Sequence, residues 1–298
     1  MANFVYLVGD RRSGECAVVD GAWDPKGIVE VARSDGMNVT LHIATHYHWD
    51  HIGASEKQGV RIPGLRDWVD PHAQGSDLGS PHAPLPAFVP QWEVAAAAAQ
   101  VGVDEALLTP LSDGQCMALG RFGLEFIHTP GHSPGSMCIR VSDRLRDGAA
   151  LAAAAAGAGG GGGGGGGGKV AGESEYNNAT TTTTEGEGED DGEGGAEETG
   201  GDDSAALPPP PPPPPPSDLL LITGDTVFPG SCGRLDLPDS DPLVMYDSLR
   251  KIAALPDGLP IYPGHSYSGA SSTIGREKAS GLLRPSITRE QWKRMMVR

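Results

Sequence analysis

The chain has 298 residues, enough to bury a sizeable core, and a formal charge of −17. Residues 169–217 carry −11 of that charge, so the remainder is only mildly acidic, and no nucleic-acid or anionic-membrane partner is expected. Four scattered cysteines (Cys16, Cys116, Cys138, Cys232) give neither a disulfide scaffold nor zinc-ribbon spacing.

No run approaches the roughly 18 apolar residues of a membrane helix. Met1 to Val8 lacks a basic region and a cleavage signal, so the expected compartment is the cytoplasm.

In chain order, Asn3–Val8 and Cys16–Asp20 read as strands. Lys26–Ser34 reads as a helix, with Pro25 at its start and Gly36 past its end. Thr40–Thr45 is a buried strand running straight into a histidine cluster. Residues 62–92, rich in Pro, Gly and Asp, read as a long surface loop with short helical pieces, the kind of segment that often serves as a lid. Leu119–Ile127 is a strand or hairpin, Pro242–Leu255 an amphipathic helix, Leu259–Tyr262 a strand, and Glu290–Met296 a short helix packing its Trp and Met residues. Strand–helix alternation implies an α/β class.

Residues 149–216 run through alanine, glycine, acidic and proline tracts. Such compositions bury too little apolar surface to offset ordering entropy, so a disordered insert is expected. It separates two strand-like runs, Ser136–Val141 and Asp218–Thr223, which read as neighbours in one sheet. Stretching a short turn to such a length costs only about 2.5 kcal/mol of closure entropy.

The chemistry concentrates in His46-Tyr47-His48-Trp49-Asp50-His51, directly after a strand. Imidazole nitrogen and carboxylate oxygen suit zinc, and also iron or manganese. If the segment leaves the strand as a loop and enters a helix, His46 and His48 can hold one ion, with Asp50 and His51 beside a second. Further ligand candidates follow strand-like runs: His132 in Thr129-Pro130-Gly131-His132, Asp225 in Thr223-Gly224-Asp225-Thr226, and His265 in Tyr262-Pro263-Gly264-His265. A glycine precedes each and permits close backbone approach. The other histidines (His42, His72, His82, His128) read as core or surface residues. Gly131-His132-Ser133-Pro134-Gly135 matches the nucleophile-elbow pattern, but Pro134 lacks the N–H that the elbow needs, so Ser133 reads as a turn residue.

The order H-x-H-x-D-H, P-G-H, T-G-D, P-G-H resembles the metallo-β-lactamase superfamily. Ser133-Pro134-Gly135-Ser136, Gly233-Arg234 and Thr273 to Lys278 resemble its glyoxalase II-like branch, hydroxyacylglutathione hydrolase-like enzymes. The resemblance runs over residues 3–142 and 218–284. It implies a four-layer αββα sandwich and a single domain over 1–298, interrupted by 149–216. It also implies two zinc ions, with His46, His48 and His132 on the first, Asp50, His51 and His265 on the second, and Asp225 bridging.

The implied activity is hydrolysis of a thioester or ester, such as a glutathione thioester, by a shared hydroxide, with Asp50 and Asp225 as catalytic carboxylates. Arg234 aligns with an arginine used near glutathione by related persulfide dioxygenases. That raises a second reading, a single Fe(II) on His46, His132 and Asp225. A third is a non-catalytic scaffold that recruits partners through the proline-rich and acidic insert. Only 33 residues follow His265, fewer than the helical C-terminal domain of members with a full glutathione site. Those members also usually carry a further strand ahead of Asn3–Val8, so the N-terminus reads as short.

Overall fold

The computed structural model describes residues 3–72, 83–143 and 218–296. Contacts group residues 1–158 and 213–298 into one unit; the other, residues 159–212, lies outside the described residues, as does the expected disordered insert.

Two mixed sheets form the centre. In the first, β1 (Tyr6–Asp10) pairs antiparallel with β2 (Glu15–Val19), and β3 (Asn38–Ile43), β4 (Ala87–Pro90) and β5 (Leu108–Leu111) follow in parallel. The second has the order β11 (Ser272–Thr273), β10 (Pro260–Pro263), β9 (Asp218–Gly224), β8 (Met137–Asp143), β7 (Phe122–His128), β6 (Cys116–Leu119).

Alternation along the strands makes the layers, because successive side chains point to opposite faces. Ala17, Val19, Phe126, Met137, Ile139 and Ile222 meet between the sheets. Ile127, Cys138, Leu221 and Ile261 point outward onto α5 (Pro242–Ala253), α6 (Ile274–Ser280) and α7 (Arg289–Met296), where Trp292 is fully buried. On the other outer face Val18 packs with Val29 of α1 (Pro25–Ser34), and Ala87 and Val89 pack with Ala97 and Val101 of α4 (Val94–Val101). The result is the four-layer αββα sandwich expected from the sequence.

β8 and β9 pair antiparallel, with Val141 opposite Leu220, so the two runs that flank the low-complexity segment are neighbours in one sheet as read. α1 starts where Pro25 was placed, and the Asp24 carboxylate caps it by accepting from the Gly27 N–H. Leu119–Ile127 resolves into the β6–β7 hairpin.

Residues 62–92 contain the expected short helical piece, but they are not simply a surface loop. Leu65 and Trp68 of α3 (Leu65–Val69) are buried, the Trp68 indole donates to the Gly21 carbonyl at 2.6 Å, and Ala87–Pro90 is a strand between β3 and β5. Turn-forming residues around these short apolar runs hide them from composition alone; residues 73–82 lie outside the described set. The first strand also begins later than read, at Tyr6, while Asn3 instead bridges to His265. α4 was not anticipated, although five alanines ending at Gly102 in a left-handed conformation are a helix with its C-terminal stop. Among the described residues no helix is long and apolar enough to cross a membrane.

Candidate metal centre

The ligand candidates sit where strands end. β3 stops at Ile43, and the chain carries His46 and His48 into α2 (Trp49–Ile52), which presents Asp50 and His51 from a single turn. His132 lies in the turn between β7 and β8, Asp225 follows β9, and His265 follows β10. All seven converge. Ligand atoms of His46, His48 and His132 lie within 4.8 Å of one another, as do those of Asp50, His51 and His265, and of His46, His51 and Asp225. Asp225 touches both groups: its carboxylate oxygens are 3.5 Å from His51 Nε2, 3.5 Å from His132 Nε2 and 3.4 Å from His265 Nε2. Gly264 permits this packing, since a Cβ there would collide with the Asp225 carboxylate.

Proton bookkeeping sets which nitrogens face inward. Asp20, buried beneath the cluster, accepts from the Thr45 N–H (2.8 Å), the Thr45 hydroxyl (2.8 Å) and His51 Nδ1 (2.9 Å). The Thr45 hydroxyl has one proton and gives it to Asp20, so towards His46 Nδ1, 3.1 Å away, it can only accept. His46 and His51 therefore carry their protons on Nδ1 and aim bare Nε2 atoms into the centre. His132 does the same, because its Nδ1 donates to the Arg234 carbonyl at 2.9 Å. This is the outer hydrogen bonding that orients metal-binding imidazoles.

The electrostatics agree with a cation site. Burial and the neighbouring imidazoles push His46 well below the ordinary histidine pKa, and burial takes His48 down to about 4, so neither is charged at neutral pH. Burial would lower His51 too, but Asp225, Asp20 and Asp50 outweigh it and raise it to about 9. That corner attracts positive charge, a proton on His51 Nε2 or, in its place, a metal ion. His48 Nδ1 and His132 Nε2 face each other at 2.9 Å, and His51 Nε2 and His265 Nε2 at 3.2 Å. His46 Nε2 and Asp225 Oδ1 are buried without a hydrogen-bond partner. Soft-to-borderline nitrogen donors with two carboxylates, arranged this way, fit divalent metal ions.

A cavity of about 350 Å³ opens over the cluster, lined by Tyr47, Trp49, Phe228, Arg234, Asp239 and Tyr267 among others. The Arg234 side chain stands at its rim, 70 % exposed and ion-paired with Asp236 at 2.9 Å, while its backbone carbonyl fixes His132. Ser133 is buried in a turn, bonded to the Ser136 hydroxyl at 2.7 Å, and the chain beyond enters β8 rather than a helix. His42 is a core residue, accepting from the Gly21 N–H, and His128 stacks on Trp92.

Two buried carboxylates that support the site escape the sequence reading. One is Asp20. The other is Glu93, buried, which accepts from the Tyr47 N–H at 3.0 Å and the Gly135 N–H at 2.7 Å. It ties the His46–His51 loop to the turn that carries His132. Burial pushes its carboxyl up to about 7 against these hydrogen bonds. The last residue of a strand pattern, as Asp20 is, offers a weak signal for such a role; Glu93 offers none.

Residues 1–144 match the family model described as Metallo-beta-lactamase superfamily. A hydroxyacylglutathione hydrolase of Mesorhizobium japonicum is 24 % identical over 274 residues, spanning 91 % of this chain and 65 % of the relative. A probable polyketide biosynthesis zinc-dependent hydrolase, BaeB of Bacillus velezensis, is 26 % identical over 147 residues, 49 % of this chain and 54 % of the relative. The chain thus spans less than two thirds of the length of these curated relatives. A metallo-β-lactamase structure from Staphylococcus aureus superposes with a TM-score of 0.57 at 20 % identity, covering 100 % of this chain and 68 % of that one. Residues 1–144 thus match the metallo-β-lactamase superfamily, and the chain is similar to its glyoxalase II-like hydrolases.

Proposed function

We propose that the chain is a metal-dependent hydrolase of a thioester or ester, glyoxalase II-like, working with two divalent ions, zinc by preference of the donor set. The observation that carries this reading is the convergence of seven ligand-type side chains with the bare nitrogens of His46, His51 and His132 fixed inward. His46, His48 and His132 would hold one ion, Asp50, His51 and His265 the other, with Asp225 shared. When bound, such ions bring a water close to neutral pKa and polarise the scissile carbonyl.

The remaining work falls to the chain. Asp20 and the Arg234 carbonyl keep three imidazoles in the tautomer that presents a lone pair. Asp50 and Asp225 balance the cationic charge, and both line the cavity. Trp49, Phe228 and Tyr267 give the cavity apolar walls for an acyl group, and Arg234 at the rim suits a carboxylate farther along the substrate, as in a glutathione thioester.

We also infer a single domain over 1–298, interrupted by 149–216. Residues before the interruption (His46 to His132) and after it (Asp225, His265) meet in one cluster, and β8 pairs with β9 across it. Replacing 149–216 by a short turn should leave folding intact; loss of folding refutes the single domain. The function is tested by metal content together with hydrolysis of S-lactoylglutathione and related thioesters. About two zinc ions per chain with turnover are expected, and a protein that binds metal yet cleaves no thioester or ester refutes it.

A further inference from the structure

α2 has only four residues, too short to satisfy its own carbonyls. The Gly53 N–H bonds to the Trp49 carbonyl, and the Ala54 N–H, which would reach Asp50 in a longer helix, goes instead to Ile62. The Asp50 carbonyl is taken by two side chains from distant parts of the sequence: Asn3 Nδ2 and Trp23 Nε1 donate to it, each at 3.0 Å. Asn3 Nδ2 also reaches the Asp50 carboxylate, 3.2 Å from Oδ2.

Neither donor arrives by accident of a loose surface. Trp23 sits at φ +75°, a left-handed conformation that bulky L residues rarely adopt, and its backbone N–H is bonded to the Pro63 carbonyl at 2.8 Å. Its ring meets Trp49 edge-on at 5.9 Å. Asn3 is joined to the other side of the site. It forms an isolated bridge with His265, and the next residue, Phe4, donates its N–H to the Gly264 carbonyl at 2.8 Å. One residue thus links the segments carrying Asp50 and His265, whose Oδ2 and Nε2 stand 3.5 Å apart.

We infer that Asn3 and Trp23 are positioning residues that lock Asp50 against His265, and so govern occupancy of the Asp50–His51–His265 metal position separately from the His46–His48–His132 position. This rests on the two-metal reading above. Among the described residues, no hydrogen bond from Asn3 or Trp23 reaches His46, His48 or His132, which is why the effect is confined to one position. Outer hydrogen bonds of this kind are worth about 10–100-fold in metal affinity.

The test is a competition titration of the full chain with Zn²⁺ against a chromophoric chelator, resolving two dissociation constants. His265→Ala marks which constant belongs to the position under test. In Asn3→Ala and in Trp23→Phe, which keeps an aromatic ring but removes the indole N–H, that constant should weaken about 10–100-fold while the other stays put. Both constants unmoved, or both weakened alike, overturns the clamp while leaving the two-metal reading standing. Fewer than two zinc ions on the unaltered chain overturns both. Should Asn3→Ala fail to fold, Trp23→Phe alone decides.

Discussion

At the floor of the cavity, His46, His51 and His132 are at most 3 % exposed, and each has its outward nitrogen tied to Thr45, Asp20 or the Arg234 carbonyl. At the rim, the Arg234 side chain is mostly in solvent and its carboxylate partner, Asp236, lies two residues along the same loop. His51 and His132 are held by parts of the chain far away in sequence, and His46 through Thr45, which is itself bonded to Asp20; the Arg234 side chain is held locally. Under the proposed function, such a division fixes the reacting groups to the fold and leaves the groups that would contact the rest of a substrate free to adjust or to change.

The largest blow to the floor should come from His48→Ala, which removes a donor facing His132 at 2.9 Å. Thioester turnover should fall by at least about a thousandfold, the scale of losing a preorganised electrostatic group. Activity within tenfold of the unaltered chain would break the proposed roles of both groups.

Beneath the floor, His42 is fully buried, and burial lowers its pKa to about 4 from an ordinary 6.5. Its folded-state pKa is depressed, so between those two values the unfolded chain binds the extra proton. Stability is complete above pH 6.5 and declines as pH falls towards 4, by about 3 kcal/mol in all. Chemical unfolding of the metal-free protein across that range should show the slope, and His42→Gln should flatten it. An unchanged slope would show that His42 is accessible to protons in the folded state.

Asp20→Asn keeps the shape but cannot accept from both Thr45 donors and His51 with two anionic oxygens. Metal affinity should weaken about 10–100-fold, measured by chelator competition. An unchanged affinity would mean that the imidazole tautomers are set elsewhere. At the rim, Arg234→Ala should be the mildest: KM for an anionic thioester rises up to about tenfold, kcat holds, and metal content is unaffected. A fall in kcat with metal loss would erase the distinction between rim and floor, and would trace to a disturbed carbonyl at His132.

Much of this was legible in the sequence because ligands have few chemical alternatives. Six residues from His46 to His51 hold four ligand-type side chains after an apolar strand, three more ligand-type side chains follow strand ends behind a glycine, and the fold brings all seven together. The β8–β9 pairing was readable as well, since two short apolar runs needed a common core. What stayed hidden were residues defined by tertiary neighbours. Asp20, Glu93, Asn3 and Trp23 belong to no motif, and their contacts exist only because segments distant in sequence meet at the site. Leu65, Trp68 and Ala87–Pro90 were missed for a related reason: short elements set among prolines and glycines acquire their identity from what they pack against.

The central claim is that residues from both sides of the 149–216 interruption build one two-metal hydrolytic centre. Its most direct test is elemental analysis of the full chain, expressed with zinc and iron both supplied, alongside assays for thioester hydrolysis and for oxygen uptake. Two zinc ions per chain with hydrolysis of S-lactoylglutathione or a related thioester, and no oxygen uptake with glutathione persulfide, is the expected result. One iron per chain with persulfide-dependent oxygen uptake and no hydrolysis would contradict it.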